Sequence, residues 1–375
     1  MITIDGSYLE GGGQILRTAL ALGTLTGKPF RAESIRQGRP KPGLKAQHLA
    51  CVTALRRLTG AGITGAEAGS ASIEFHPGRI VASALEMDIG TAGSIALLMQ
   101  SLLLPCVFAG GPVRLTLRGG TDTKWSIPID YFLKVILPHF QALADFEFHS
   151  RKRGFYPKGQ GKLDLTVLPR IYPGAASRTD TIRFWIADTL SPLDLTARSD
   201  VSRIEGISCA SESLKHAEVA ERQAQGAAAG LKGVGPVSIR TEYAHTASPG
   251  TIITLWAVSE EGRVSIGADA LGERGVRAEN VGARAADRLL AVLNSGAAVD
   301  SHLADNLIPL LALSSGSIRT EKITGHIRSN IYVCEKFLGV RFEVDEEQRL
   351  IRVDHRGIWD GAWSPGFSLI HHQKK

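Results

Sequence analysis

The sequence is sparing in the residues that staple or anchor a chain. Four cysteines occur in 375 residues, Cys51, Cys106, Cys209 and Cys334, and no two form a CxxC pair. This argues against a disulfide scaffold or a cysteine-rich zinc site, and apolar surroundings suit buried, reduced thiols. No apolar run is long enough to span a bilayer; the longest, Ile95 to Ala109, is interrupted by Gln100, Ser101 and Pro105. The opening residues lack a basic segment followed by an apolar one, so no secretory signal is expected. These absences lead to the expectation of a cytoplasmic protein with no membrane partner. Charge of one sign is scarce too: 43 Lys+Arg against 37 Asp+Glu leave a net charge of +6. So small an excess does not identify an anionic partner.

What is present is the make-up of a soluble globular protein, 43% hydrophobic and 21% charged, on a chain long enough for two or more folding units. A weak internal repeat runs through it. A glycine-opened helix from Gly13 ends near Gly27, and a strand-like run closes at Gly38. The stretch from Gly93 repeats this, with a strand closing at Gly119-Gly120. Second helical patterns follow near residues 43 to 59 and 128 to 145, and a third copy is suggested by helices at 283 to 294, 303 to 313 and 330 to 338. Each helix is apolar on one side only and needs a sheet to cover it. An α+β fold is expected: three repeated units of two helices and a four-stranded sheet, with one smaller α/β domain inserted. The body is placed at 1–180 and 277–342, the insert at 181–276, and a C-terminal extension at 343–375.

Five segments carry candidate chemistry. Glu10 precedes Gly11-Gly12-Gly13, which open a helix containing Arg17. Glycines there allow close backbone approach, and free N–H groups of a first turn favour phosphate. An acid beside them suits Mg²⁺. Arg36, Arg39, Lys41 and Lys45 are interleaved with Pro40, Pro42 and Gly43, so cations are presented from a stiffened loop ending at Gln47 and His48. Gly119-Gly120-Thr121-Asp122 ends a strand, and Pro128 and Tyr131 beyond it suit either core packing or apolar walls for a base. His302, Asp305 and Asn306 share one helix face at i, i+3 and i+4. His326 stands just before a helix, with Ser329 or Asn330 near the expected cap. A neutral imidazole is a good nucleophile at phosphorus when its other nitrogen is held.

Taken together and in order, these motifs resemble the RNA 3′-terminal phosphate cyclase family through residues 1 to 342. Further matching segments are Arg153-Gly154-Phe155-Tyr156-Pro157 with Gly159 and Gly161, Gly272-Glu273-Arg274-Gly275, and Glu335-Lys336-Phe337-Leu338. The resemblance implies an enzyme that uses ATP and a divalent metal, Mg²⁺ or Mn²⁺, to convert an RNA 3′-phosphate into a 2′,3′-cyclic phosphodiester. It places His326 as the nucleophile that takes AMP, and Gln100, Pro128, Tyr131, His302, Asp305 and Asn306 around the nucleotide. It assigns Glu10 to the metal, and Arg17, Arg36, Arg39 and Gln47 to phosphates and the RNA end. Two positions depart from the family pattern: Asn306 stands for a usual Gln, and Ser329 for a usual Thr. None of the matched pocket residues lies in 181–276, so the insert is expected to be dispensable for adenylylation. A non-catalytic cyclase-like scaffold of ribosome assembly, a carboxyvinyl transferase and a plain nucleic-acid-binding module are the competing readings.

Overall fold

Short alternating strands can bury their apolar faces only against other elements, and the helix Gly13–Thr26, expected to be apolar on one side only, is buried all round, at every position but Gly13. The computed structural model describes residues 1–79, 83–170 and 190–354, and over these the chain forms four four-stranded sheets. The first contains β1 (Ile2–Asp5), β2 (Phe30–Glu33), β3 (Gly62–Thr64) and β4 (Ile73–His76), in the order β1-β2-β4-β3. Helix α1 (Gly13–Thr26) links β1 to β2, and α2 (Ala46–Thr59) links β2 to β3. Gly27 and Gly60 end these helices in the left-handed region, at φ 64° and 71°, where a β-carbon is disfavoured.

The second sheet repeats this wiring. Strands β5 (Ser83–Asp88), β6 (Val113–Gly119), β7 (Ala144–Lys152) and β8 (Gly161–Pro169) lie in the order β5-β6-β8-β7, with α3 (Ile95–Val107) between the first two. The helix expected over 128–145 is shorter and irregular. It runs as α4 (Ile129–Tyr131), a π turn Phe132–Ile136 and a 3₁₀ turn Leu137–Phe140, before β7 begins. Pro138 supplies no N–H, so a regular i→i−4 ladder cannot pass through it.

The third sheet is discontinuous in sequence. Its strands are β9 (Leu193–Leu195), β14 (Gly316–Arg319), β15 (Phe342–Asp345) and β16 (Leu350–Val353), in the order β15-β16-β14-β9. Read from β9 this is again the wiring of the first two, and its helices are α7 (Ser301–Ser314) and α8 (Gly325–Leu338).

Between β9 and α7 comes the fourth sheet, β10 (Val201–Ser211), β11 (Val237–Ala244), β12 (Thr251–Ser259) and β13 (Val264–Leu271), in the order β11-β10-β12-β13, with helices α5 (Val219–Gly230) and α6 (Ala278–Asn294). Its alternation serves two cores. Ile204, Ile253, Leu255, Ile266 and Ala268 join Val281, Ala285 and Leu289 of α6 in one cluster. Ile207, Cys209, Ile252, Trp256 and Val258, on the opposite face, join the large core shared by the other three sheets.

These elements shift the expected boundaries. Helix α6 was expected in the body after 276, but its apolar stripe packs in the fourth sheet's own core. Strand β9, expected inside the insert, pairs with β14 of the third sheet. The stretch expected as an extension from 343 supplies most of β15 and all of β16. The expected edge at 180/181 and the tryptophans Trp359 and Trp363 lie outside the described residues. All four cysteines are buried and free, as expected. Among the described residues no helix is long and apolar enough to cross a membrane.

Candidate active site

Four helices drawn from three sheets bring the candidate residues together. Helix α8 starts one turn earlier than expected, because Thr324 rather than Ser329 or Asn330 caps it; the Thr324 hydroxyl accepts from Ile327 N–H at 3.1 Å. His326 therefore stands in the first helical turn, near its positive end. The true work of Asn330 is inside: its Nδ2 donates to Asp305 Oδ1 at 2.6 Å and to the Asp305 carbonyl at 3.0 Å. Its Oδ1 accepts from the Thr18 hydroxyl at 2.6 Å, so α1, α7 and α8 are tied at one buried amide. Ser329 donates to the Gly325 carbonyl at 2.7 Å.

His326 lies between two carboxylates. Its Nδ1 is 3.9 Å from Asp305 Oδ2 and its Nε2 is 3.7 Å from Glu10 Oε2, and its side chain is 46% exposed. Burial pushes the Asp305 carboxyl up from its ordinary pKa, opposed by the charges of His326, His302 and Arg17. Glu10 is half exposed and its Oε2 is 3.4 Å from Arg39 Nη2.

A directional chain of hydrogen bonds lines the adjoining wall. The buried Arg17 donates from Nε to Gln100 Oε1 at 2.8 Å. Gln100 Nε2 donates to Asn306 Oδ1 at 2.9 Å, and Asn306 Nδ2 donates to the His302 carbonyl at 2.7 Å. The shorter amide of Asn306 thus reaches Gln100 directly. Burial lowers the pKa of Arg17, with Cys51 and Asp305 pulling the other way.

Other predicted residues fall elsewhere. Arg36, at φ 57°, turns its guanidinium onto the carbonyls of Lys41 and Gly43, at 2.7 and 3.2 Å, and so staples its own loop. Only Arg39 of that loop's arginines meets Glu10. Gln47 donates to the Ser94 carbonyl at 3.1 Å, joining α2 to the cap of α3. Pro128 is buried at the start of α4. Tyr131 is completely buried, with its hydroxyl donating to Asp300 Oδ1 at 2.5 Å, so its ring is no exposed wall for a base. Its edge instead meets the exposed His302, with centroids 6.2 Å apart.

Asp300, the cap of α7, also accepts from His302 N–H and from Gly267 N–H of β13. A β-carbon on Gly267 would strike the Tyr131 ring, which packs tightly against that strand. The fourth sheet therefore buttresses the helix carrying His302 and Asp305. This tempers the expectation that the insert is dispensable, since removing it would strip partners from Tyr131 and Asp300.

One residue at the end of the basic loop carries no assigned role in the sequence reading. His48 is buried, its Nδ1 accepts from Lys45 N–H at 3.0 Å, and a β-carbon on Gly13 would strike its Nε2. Burial, then Arg17, Arg36 and Lys45, push its pKa down to about 3, so the ring is neutral beside the glycine-opened start of α1. The available signal was its place immediately after Gln47, where the basic loop enters a helix.

Glycines, cations and a bracketed imidazole at one helix junction set the frame for comparison with known proteins. A family model described as RNA 3′-terminal phosphate cyclase matches residues 8–344. A protein of that name from Pyrococcus furiosus is 42% identical over 346 residues, covering 92% of this chain and 95% of its own. One from Archaeoglobus fulgidus is 43% identical over 350 residues, with 92% and 98% covered. One from Caldivirga maquilingensis is 43% identical over 366 residues, with 94% and 97% covered. The solved enolpyruvyl transferase NikO of Streptomyces tendae aligns over 94% of this chain and 81% of its own, at 13% identity and a TM-score of 0.21, too low to bear on fold. On the family match and these relatives, the chain belongs to the RNA 3′-terminal phosphate cyclase family.

Proposed function

We propose that this chain converts RNA 3′-terminal phosphates into 2′,3′-cyclic phosphodiesters at the expense of ATP, through an enzyme–AMP intermediate on His326. The observation that carries this is the placing of His326: half exposed, in the first turn of α8, with a carboxylate facing each ring nitrogen. Asp305, held by Asn330, is set to accept from Nδ1–H, which leaves the Nε2 lone pair for phosphorus. The second sheet's and third sheet's shared wiring with the first supports a body of three repeats carrying one inserted domain.

Three displacements at phosphorus make up the reaction. Nε2 attacks the α-phosphorus of ATP; an N–P bond forms, the Pα–O bond to the β-phosphate breaks, and pyrophosphate leaves. An oxygen of the RNA 3′-phosphate then attacks the same phosphorus, the N–P bond breaks, and RNA(3′)pp(5′)A forms. The neighbouring 2′-OH attacks the 3′-phosphorus, loses its proton and displaces AMP. Phosphate oxygens repel an incoming hydroxyl, so the work of the site is to supply a leaving group, offset charge and hold the reactants in line. Arg39 and Arg17, with the glycine-opened start of α1 and the neutral His48 beside it, are suited to hold anionic oxygens. The His302, Asp305 and Asn306 face with Gln100 would orient the nucleotide.

No group of three or more His, Cys, Asp or Glu side chains able to hold a metal occurs among the described residues. The half-exposed Glu10 nevertheless fits Mg²⁺ or Mn²⁺ arriving on the ATP phosphates, since such an ion needs only one or two protein carboxylates. Bound there, it would neutralise phosphate charge.

The test is incubation with ATP labelled at the α-phosphate, followed by a 3′-phosphorylated oligoribonucleotide. The expected result is label on the protein, then on RNA and AMP, with the RNA end becoming resistant to phosphatase. A terminal 2′-deoxynucleotide should arrest the RNA at the adenylylated stage. Absence of labelled protein together with an unaltered RNA end would overturn the proposal.

A further inference from the structure

Trp125 is 94% exposed, the most exposed of the large hydrophobic side chains in the described residues. A single exposed apolar residue is ordinary, but this one is also held in an unfavourable backbone state. Its φ of 61° lies in the left-handed region, which a bulky side chain adopts only when its surroundings impose it. The imposing turn is visible: Ser126 Oγ lies 3.0 Å from Thr123 Oγ1 and donates to the Thr123 carbonyl at 3.1 Å. Below the turn the chain is anchored in the interior. Thr121, Asp122 and Ile127 are buried, and Ile129 N–H donates to the Thr121 carbonyl at 3.0 Å. A solid stem thus holds an indole out in water.

A second aromatic ring is presented in the same way from the neighbouring loop. Tyr156 is 75% exposed and follows the buried Phe155 and Arg153. The two loops are stitched together at their bases. Thr121 N–H donates to the Gly154 carbonyl at 2.9 Å, Gly154 N–H donates back to Thr121 Oγ1 at 2.9 Å, and Asp122 and Phe155 form a single parallel bridge. Trp125 is three residues beyond that bridge, at most about 11 Å of chain, and Tyr156 is one residue beyond it. Lys152 at the end of β7 and Lys158 on the second loop are exposed, and Lys124, exposed beside Trp125, meets Glu273 at 3.2 Å.

The stems lead back to the active site. Gly120, just before the first loop, bridges Ser94, whose carbonyl holds Gln47, and the far end of the loop continues into Pro128 and Tyr131 behind His302. Exposed rings interleaved with lysines, held rigidly and leading away from a phosphate-handling centre, match the needs of a single nucleic-acid strand. Bases stack on the rings whatever their identity, and lysines meet the backbone.

We propose that Trp125 and Tyr156 form a stacking platform for the single-stranded RNA just upstream of the 3′-phosphate, an inference that rests on the cyclase reading. The platform would grip RNA of any sequence while leaving the ATP step alone.

The test measures binding of a fluorescent, 3′-phosphorylated oligoribonucleotide by anisotropy, beside self-adenylylation from ATP. Trp125→Ala and Tyr156→Ala should each weaken RNA binding about tenfold, the scale of losing one stacked base, without changing the ATP dependence of adenylylation. Trp125→Phe should restore most of the loss, and A-rich strands should bind more tightly than U-rich ones. Melting curves of both variants should match the wild type, because both side chains are exposed. Unchanged RNA affinity in the double variant would overturn the platform while leaving the cyclase reading intact. Failure of the wild-type chain to adenylylate would instead strike that reading, and the binding ratios would still decide the platform.

Discussion

Two clusters of opposite charges, one around Arg153 and one around His326, are built on different terms. In one, the buried Arg153 meets both oxygens of Asp122 at 3.2 Å, pairs with Asp130 and reaches Glu242 of β11 at 3.4 Å. Arg151 bonds Glu242 at 2.6 Å and lies 3.4 Å from Asp130. In the other, Glu10, Arg39, His326 and Asp305 stand 3.4 to 3.9 Å apart, and only Asp305 is buried. The sealed cluster sets Arg153 and Arg151 directly against Asp122, Asp130 and Glu242, with Arg153 Nε left as a buried donor without a partner, and it joins the second sheet to the fourth. The open one leaves Glu10, Arg39 and His326 partly exposed, at separations longer than a short hydrogen bond. A charge that must meet a substrate has to stay reachable, whereas a buried charge that holds two bodies together has to be paired with its opposite.

The largest effect that would sharpen this contrast is on activity. His326→Ala should abolish the AMP adduct while changing stability by no more than about 1 kcal/mol, as for a half-exposed side chain with no short hydrogen bond. Adduct assays and urea denaturation on the same preparation check both halves; residual adduct would break the account of the open cluster.

Arg153→Met should do the reverse. It strands Asp122 and Asp130 without their main cation, and breaking a buried pair from one side costs about 3–5 kcal/mol. Urea denaturation reads this directly. A loss below about 0.5 kcal/mol would show that the sealed cluster is not what holds the sheets together.

Glu10→Gln should slow adenylylation on the order of a hundredfold, the scale of losing one electrostatic contributor to a transition state, with stability kept. Titrating Mg²⁺ and Mn²⁺ in this variant checks the role, and wild-type rates at every metal concentration would remove it.

A smaller effect concerns pH. His48 is neutral when folded because burial and nearby cations depress its pKa from 6.5 to about 3. The unfolded chain binds a proton in that window and the folded one does not, so this group's stabilisation is lost as pH falls from about 6.5 towards 3. His48→Gln should flatten that part of the stability–pH curve; an unchanged slope would count against a buried neutral ring.

Much of this was legible in the sequence because local rules governed it. The glycine-opened α1, the short apolar strands and the shared face of His302, Asp305 and Asn306 all follow from spacing and turn chemistry. What escaped was set over long distances. The stripe of Val281, Ala285 and Leu289 shows that α6 has an apolar face, but not that α5 and the fourth sheet, rather than the body, cover it. Arg36 and Arg39 look alike in their loop, yet one is consumed by carbonyls at its own base and the other faces Glu10. Tyr131 reads as a candidate wall until Asp300, 169 residues away, takes its hydroxyl. His48 is inconspicuous until the fold sets its imidazole against Gly13.

Adenylylation of the His326 ring is the event on which the proposed reaction turns. Digesting the chain after reaction with ATP and locating the modified peptide by mass spectrometry tests it most directly. The expected product carries AMP at one site, His326, through a phosphoramidate that is lost in mild acid and stable in base. An adduct on a lysine, or on any other histidine, would contradict it.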